Sequence, residues 1–187
     1  MKVLPLLTSA ALMLSLAAGS ALAQSDKAKK QAEIRKVAQS SLERFYKVEP
    51  KLRAEVAKAP GYAVFTSYGF TFLLGGSGGK GVVQDLKTKH YTYMDMARVS
   101  AGLQIGGGEY ETLIIFKTAK AMADFISKGW EFSGGGGATA GVTGKTAGGE
   151  AGQQVINDAS YYTLTKNGLQ AGGAVAGTKF WKDEDLN

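Results

Sequence analysis

The sequence predicts an α+β fold: N-terminal amphipathic helices and one middle helix packed on a strongly curved, mainly antiparallel, glycine-rich sheet that can coil toward a barrel. Three observations predict it. Residues 26–48 lack Gly and Pro and place Ile34, Val37, Ala38, Ser41, Leu42, Phe45 and Val48 at helical spacing. After Pro60 the chain changes to short runs rich in β-branched and aromatic residues, separated by turn signals. Many of the 26 glycines fall inside those runs, where they mark bends, bulges or close backbone approach.

Each element follows in order. MKVLPLLTSAALMLSLAAGSALA, residues 1–23, has a basic start, an apolar middle and small residues at Ala21 and Ala23. That is the pattern of a secretory signal, with cleavage expected before Gln24. Residues 24–60 form a basic helical segment. Ser25 or Asp26 can cap its first helix, and Pro50 suits the start of a second, shorter one that ends before Pro60. Residues 61–187 form the β-rich core, a single domain with 24–60. YAVFTSYGFTFLLGG, GKGVVQD, YTYMDMARVSAGLQIGG and YETLIIF read as strands, and KTAKAMADFISKGW as a helix stopped by Gly129. Asn167–Gly168 signals a hairpin within SYYTLTKNGLQ, and AGGAVAGTKFW supplies a last strand. Gly102–Gly107 is echoed at Gly168–Gly173, too briefly to mean duplication.

Charge is uneven. Residues 24–60 hold ten bases (Lys27, Lys29, Lys30, Arg35, Lys36, Arg44, Lys47, Lys51, Arg53, Lys58) against five acids, whereas residues 61–187 balance eleven against eleven. Such asymmetry points to an anionic partner met by one face, although a charge run is often only a solvated surface. The absence of cysteine excludes disulfides and thiol metal ligands. Beyond the leader, no stretch reaches the roughly 18 apolar residues of a membrane span.

Motifs with catalytic potential fail on spacing or context. GGGGATAGVTGKT ends like a phosphate-binding loop, but Thr139 stands where its first glycine is required. Gly75–Gly79 matches G-x-S-x-G, yet a strand-like run follows instead of the helix a nucleophile elbow needs. A triad would have to use Ser77, Asp85 and the single histidine, His90, all from one hairpin. No metal, cofactor or nucleotide site is expected. Nucleic acid is disfavoured because only Phe45 and Tyr46 accompany the bases, and they lie at the far end.

Several stretches together resemble the SYLF domain family: Ala63-Val64-Phe65, GGSGGKGVV at 75–83, SAGLQIGG at 100–107, ETLIIFKTAKAMADF at 111–125 and GLQAGGAVAGTKFW at 168–181. The resemblance implies a non-enzymatic domain. Its eukaryotic members are linked to phosphoinositide-rich membranes and in some cases to actin, through a basic amphipathic N-terminal helix, and its bacterial members are mostly exported. The chain departs from the family where Gly-Pro-Val-Gly-Arg is common: Ala140–Lys145 lacks the proline and ends in lysine, a point charge instead of a planar fork.

The function expected is binding of anionic phospholipid headgroups at a membrane surface by a periplasmic or secreted, peripherally associated protein. Lys27, Lys29, Lys30, Arg35 and Lys36 would supply attraction, and Lys87, Lys89 and Lys145 local contacts. Trp181 is a candidate interface residue, and Trp130 a core one. The alternative is a cell-envelope protein-interaction module without direct lipid binding. An enzyme would require a concave pocket holding paired acids.

Overall fold

The computed structural model describes residues 8–72, 76–99, 110–132, 147–148, 154–165, 168–171 and 178–187. Among them, three helices and ten strands follow in the order α1 (Thr8–Val48), α2 (Lys51–Lys58), β1 (Gly61–Phe72), β2 (Gly76–Asp85), β3 (Tyr91–Val99), β4 (Glu111–Phe116), α3 (Ala119–Lys128), β5 (Trp130–Phe132), β6 (Ala147–Gly148), β7 (Gln154–Ile156), β8 (Ala159–Thr165), β9 (Gly168–Ala171) and β10 (Thr178–Lys182). The helix expected from Ser25 or Asp26 begins earlier, at Thr8. No proline interrupts 8–48, so nothing in the chain forces a break there.

All strands join one antiparallel sheet in the order β5-β10-β3-β2-β1-β4-β8-β7-β6, with β9 also on β8. The sheet is strongly curved. Six strand spacings separate β5 from β8, about 29 Å on a flat sheet. Yet the rings of Trp130 on β5 and Tyr161 on β8 lie 6.2 Å apart. The sheet therefore curls until its distant strands share one interior. Glycines on β2 make room inside the curl. A Cβ on Gly79 would stand 2.8 Å from the Met96 methyl, and one on Gly81 would run into the Phe65 ring.

Both faces are covered, which is why β1 and β4 read as continuous apolar runs instead of alternating ones. The inner face carries Ala63, Phe65, Met94, Met96, Ile114, Phe116, Tyr161 and Phe180, and α3 closes over it with Met122 and Phe125. The outer face carries Tyr62, Val64, Val82, Tyr93, Leu113 and Ile115, and receives Ala38, Leu42 and Phe45 of α1 with Leu52 and Val56 of α2.

The middle helix forms as its sequence dictates. The Thr118 hydroxyl accepts from the Ala121 N–H at 3.1 Å, capping its start. Gly129 ends it with φ +66°, and its N–H returns to the Phe125 carbonyl at 3.0 Å. Trp130 follows into the core at 5% exposure, whereas Trp181 on β10 remains 38% exposed. The expected hairpin between β8 and β9 is present, with Thr165 opposite Gly168.

Candidate functional site

Helix α1 lies across the outer face, and its polar contacts fix its rotation. The Lys27 ammonium donates to the Asn187 backbone oxygen at 2.7 Å, and the Gln31 amide to the Leu186 carbonyl at 2.8 Å. One turn further, the Arg35 guanidinium donates to the Tyr93 hydroxyl at 2.8 Å and lies 5.6 Å from the Tyr91 ring centre. Near the helix end, Arg44 clasps Glu111 at the start of β4 with two hydrogen bonds, one of 3.1 Å. The C-terminal tail that receives Lys27 is itself held. Lys80 bridges Asp95 at 2.7 Å and the buried Asp183 at 2.6 Å, while Asp183 accepts the N–H groups of Asp185 and Leu186. Burial opposes the Lys80 charge, but its hydrogen bonds to Asp183 and Asp95 prevail and raise its pKa above the ordinary lysine value.

This rotation sorts the bases singled out from sequence. At 100° per residue, Lys29 and Lys36 stand on the side of α1 opposite Ala38, Leu42 and Phe45, and Lys47 continues their line. All three are exposed. Lys30 is exposed on one flank of the helix. Lys27 and Arg35 are turned toward the sheet and tail by the contacts above. Acids among the bases are largely engaged: Asp26 lies 3.8 Å from Lys29, and Glu43 lies 3.0 Å from Arg53. Arg53 also stacks 4.4 Å from the Tyr46 ring centre.

A second group of bases gathers at one edge. The β2–β3 tip presents Lys87 and Lys89, both exposed, as expected of a hairpin end. The Asp85 carboxylate turns inward and accepts the N–H groups of Lys87 and Thr88 at 2.8 and 2.9 Å. The Thr88 bond and then the Lys87 bond hold its carboxyl below the usual range, and Lys87 adds a favourable charge. Lys89 adopts φ +61° to close the turn. The Leu86 N–H donates to the Pro60 carbonyl at 2.9 Å, so the tip stands beside the end of α2, where Lys58 is exposed. Lys47 and Lys58 were counted in the basic segment but not singled out. Lys47 lies eleven residues, three turns, beyond Lys36, a spacing that could have identified it. Lys145, with Gly134–Gly137 and Thr139, lies outside the described residues.

Among the described residues, the catalytic constellation weighed from sequence does not assemble. Ser77 pairs with Arg98, eight residues along β2 from Asp85, so Ser77, Asp85 and His90 cannot form a triad. A cleft of about 230 Å³ beside α3 includes Asp124 and Asp158 in its wall. However, Lys120 and Lys128 both bind Asp124, the latter at 3.0 Å, and their hydrogen bonds keep its carboxyl below the ordinary range. A carboxylate held in this way is poorly placed for acid–base work at neutral pH. Among the described residues, no cluster of three or more His, Asp or Glu could hold a metal, and no helix is long and apolar enough to cross a membrane.

Two comparisons with known proteins bear on this geometry. Residues 97–187 match the family model described as Ysc84, a Las17-binding protein actin regulator. Beta cell expansion factor A of Aeromonas veronii is 32% identical over 158 residues, covering 82% of this chain and 57% of that protein. The chain thus spans little more than half the length of this curated relative.

Proposed function

The chain belongs to the SYLF family through a domain matched over residues 97–187, and from that premise we propose that it is an exported, non-enzymatic protein that binds anionic phospholipid headgroups at a membrane surface. The observation that carries this reading is the excess of bases on the outward side of α1, where residues 24–48 hold seven Lys/Arg against three acids. Lys29, Lys36 and Lys47 line the side away from the sheet, while the helix's apolar side is already buried in the domain. The helix therefore meets the surface by charge, and each base near an anionic bilayer contributes about 1 kcal/mol. Lys58, Lys87 and Lys89 form a second contact at the edge.

Co-sedimentation with vesicles tests this. Binding should require phosphatidylglycerol or cardiolipin, weaken markedly between low and moderate salt, and fall when Lys29, Lys30 and Lys36 are changed to Glu. Equal binding to neutral vesicles, or no effect of charge reversal, would sink the proposal. The description of the matched family as a Las17-binding actin regulator, together with the exposed Trp181, favours one second reading: an interaction module for an envelope protein. That complex would survive salt high enough to release the vesicles.

A further inference from the structure

The interior of the curled sheet has two chemically different ends. At the α3 end it is filled by Phe65, Phe116, Phe125, Trp130 and Phe180. One step further along each strand, the same inward-facing positions become polar: Ser67 on β1, Thr112 on β4, Thr163 on β8, Arg98 on β3 and Thr178 on β10. All five are buried.

Two of them form a matched pair. Thr178 is directly opposite Arg98 in the β10–β3 register, so their side chains are neighbours on the inner face. Arg98 is 6% exposed and Thr178 2%. The Arg98 guanidinium lies 4.9 Å from the Tyr110 ring centre. Stacking on a ring occupies the face of the guanidinium and leaves its in-plane N–H groups available. Among the described residues, no carboxylate forms an ion pair with Arg98. The Thr178 hydroxyl is buried without a hydrogen-bond partner. A buried hydroxyl without an acceptor, beside a buried guanidinium with no carboxylate partner among the described residues, is costly unless something supplies one.

We infer that this polar end of the interior binds a small oxyanion, a phosphate or carboxylate group, with the Arg98 fork on two of its oxygens and the Thr178 hydroxyl donating to it. The planar fork suits either anion, and a curled sheet offers its interior as a ligand site. The site is separate from the bases of α1 and of the hairpin tip, so it does not depend on the membrane proposal.

The test is calorimetric titration of the full chain with inorganic phosphate, octanoate and a short-chain phosphatidic acid. Saturable binding of at least one probe, at one site per chain, is expected. Phosphate binding identifies a free-anion site, whereas binding of the amphiphiles alone identifies a lipid whose head enters the interior. Arg98→Lys, which retains the charge but loses the fork, should weaken binding about tenfold, and Thr178→Val about threefold. Circular dichroism checks that both variants fold. The Lys29→Glu/Lys30→Glu/Lys36→Glu variant should bind the probes as the parent does, even where it fails on vesicles. The proposal is overturned if no probe binds, or if Arg98→Lys and Thr178→Val bind as tightly as the parent.

Discussion

The two faces of the sheet are covered in different ways. Inside the curl, Phe125 alone lies within ring contact of Phe65, Phe116, Trp130 and Phe180, at centroid distances from 4.9 to 6.1 Å. Those rings come from β1, β4, β5 and β10, so this core forms only when distant segments assemble together. Outside, a pair of sequence-adjacent helices lays an aliphatic stripe on the sheet. Its margins are Arg35 with Tyr91 and Tyr93, and Arg44 with Glu111, at or near solvent. Exposed ion pairs contribute little, typically up to about 1 kcal/mol. The inner core therefore sets the fold, while the outer layer is the more separable one, and it carries most of the bases proposed to meet a membrane.

Phe125→Ala should break the inner side most severely. Removing a fully buried ring costs about 3–5 kcal/mol, and urea unfolding should show one destabilised, still cooperative transition. Leu42→Ala should cost less, about 2–3 kcal/mol, because the helix can shift to refill part of the space. Hydrogen exchange sharpens the contrast. Leu42→Ala should speed exchange in α1 and α2 while β4 and α3 remain protected, whereas Phe125→Ala should raise exchange throughout the sheet. Uniform acceleration in both variants would show that the layers are not separable. Thr118→Ala is smaller again, about 1 kcal/mol, since it removes one cap from α3. Its effect should appear as a lower urea midpoint with an unchanged slope.

The same contrast governs how much could be read from sequence. The α3 stop at Gly129, the Lys87–Lys89 tip and the β8–β9 hairpin were legible because each depends on residues a few positions apart. The curvature was legible from glycines within strands, and its cause is visible at Gly79 and Gly81, where Met96 and Phe65 occupy the space a Cβ would need. The strand order was not legible. Nothing local places β10 between β5 and β3, since that insertion is decided by inner packing of Phe180 against Phe65 and Phe125. Sequence also could not separate Arg35 from Lys36. Adjacent residues point 100° apart, and only the position of Tyr91 and Tyr93 reveals which of the two is engaged. Helix α1 runs back to Thr8 through residues read from sequence as a secretory leader, so the start at Ser25 or Asp26 was the start expected of the chain after that leader. Arg98 was missed because its significance lies in Thr178, eighty residues away in sequence and directly opposite in register.

The smallest expected effect concerns the edge contact, and it depends on pH. Asp85 holds the hairpin tip through the N–H groups of Thr88 and Lys87, and those bonds depress its carboxyl pKa in the folded chain. A depressed carboxyl stabilises the fold at pH values above its unfolded pKa, near 3.9. That contribution is lost as pH falls from there through the lower folded value. Between about pH 5 and 7 the tip should be insensitive to pH, and below about pH 4 it should loosen. Amide exchange of Lys87 and Thr88, corrected for the intrinsic pH dependence of exchange, should accelerate in that acidic window, and Asp85→Asn should show the faster rate at every pH. Because the Asp85 carboxylate bonds only within the hairpin tip, through the N–H groups of Lys87 and Thr88, the change should remain local and leave the exchange of β4 and α3 unaltered. Acceleration that reaches the inner core at the same pH would mean that the tip and the aromatic interior open as one unit, contrary to the separation of layers argued from their packing.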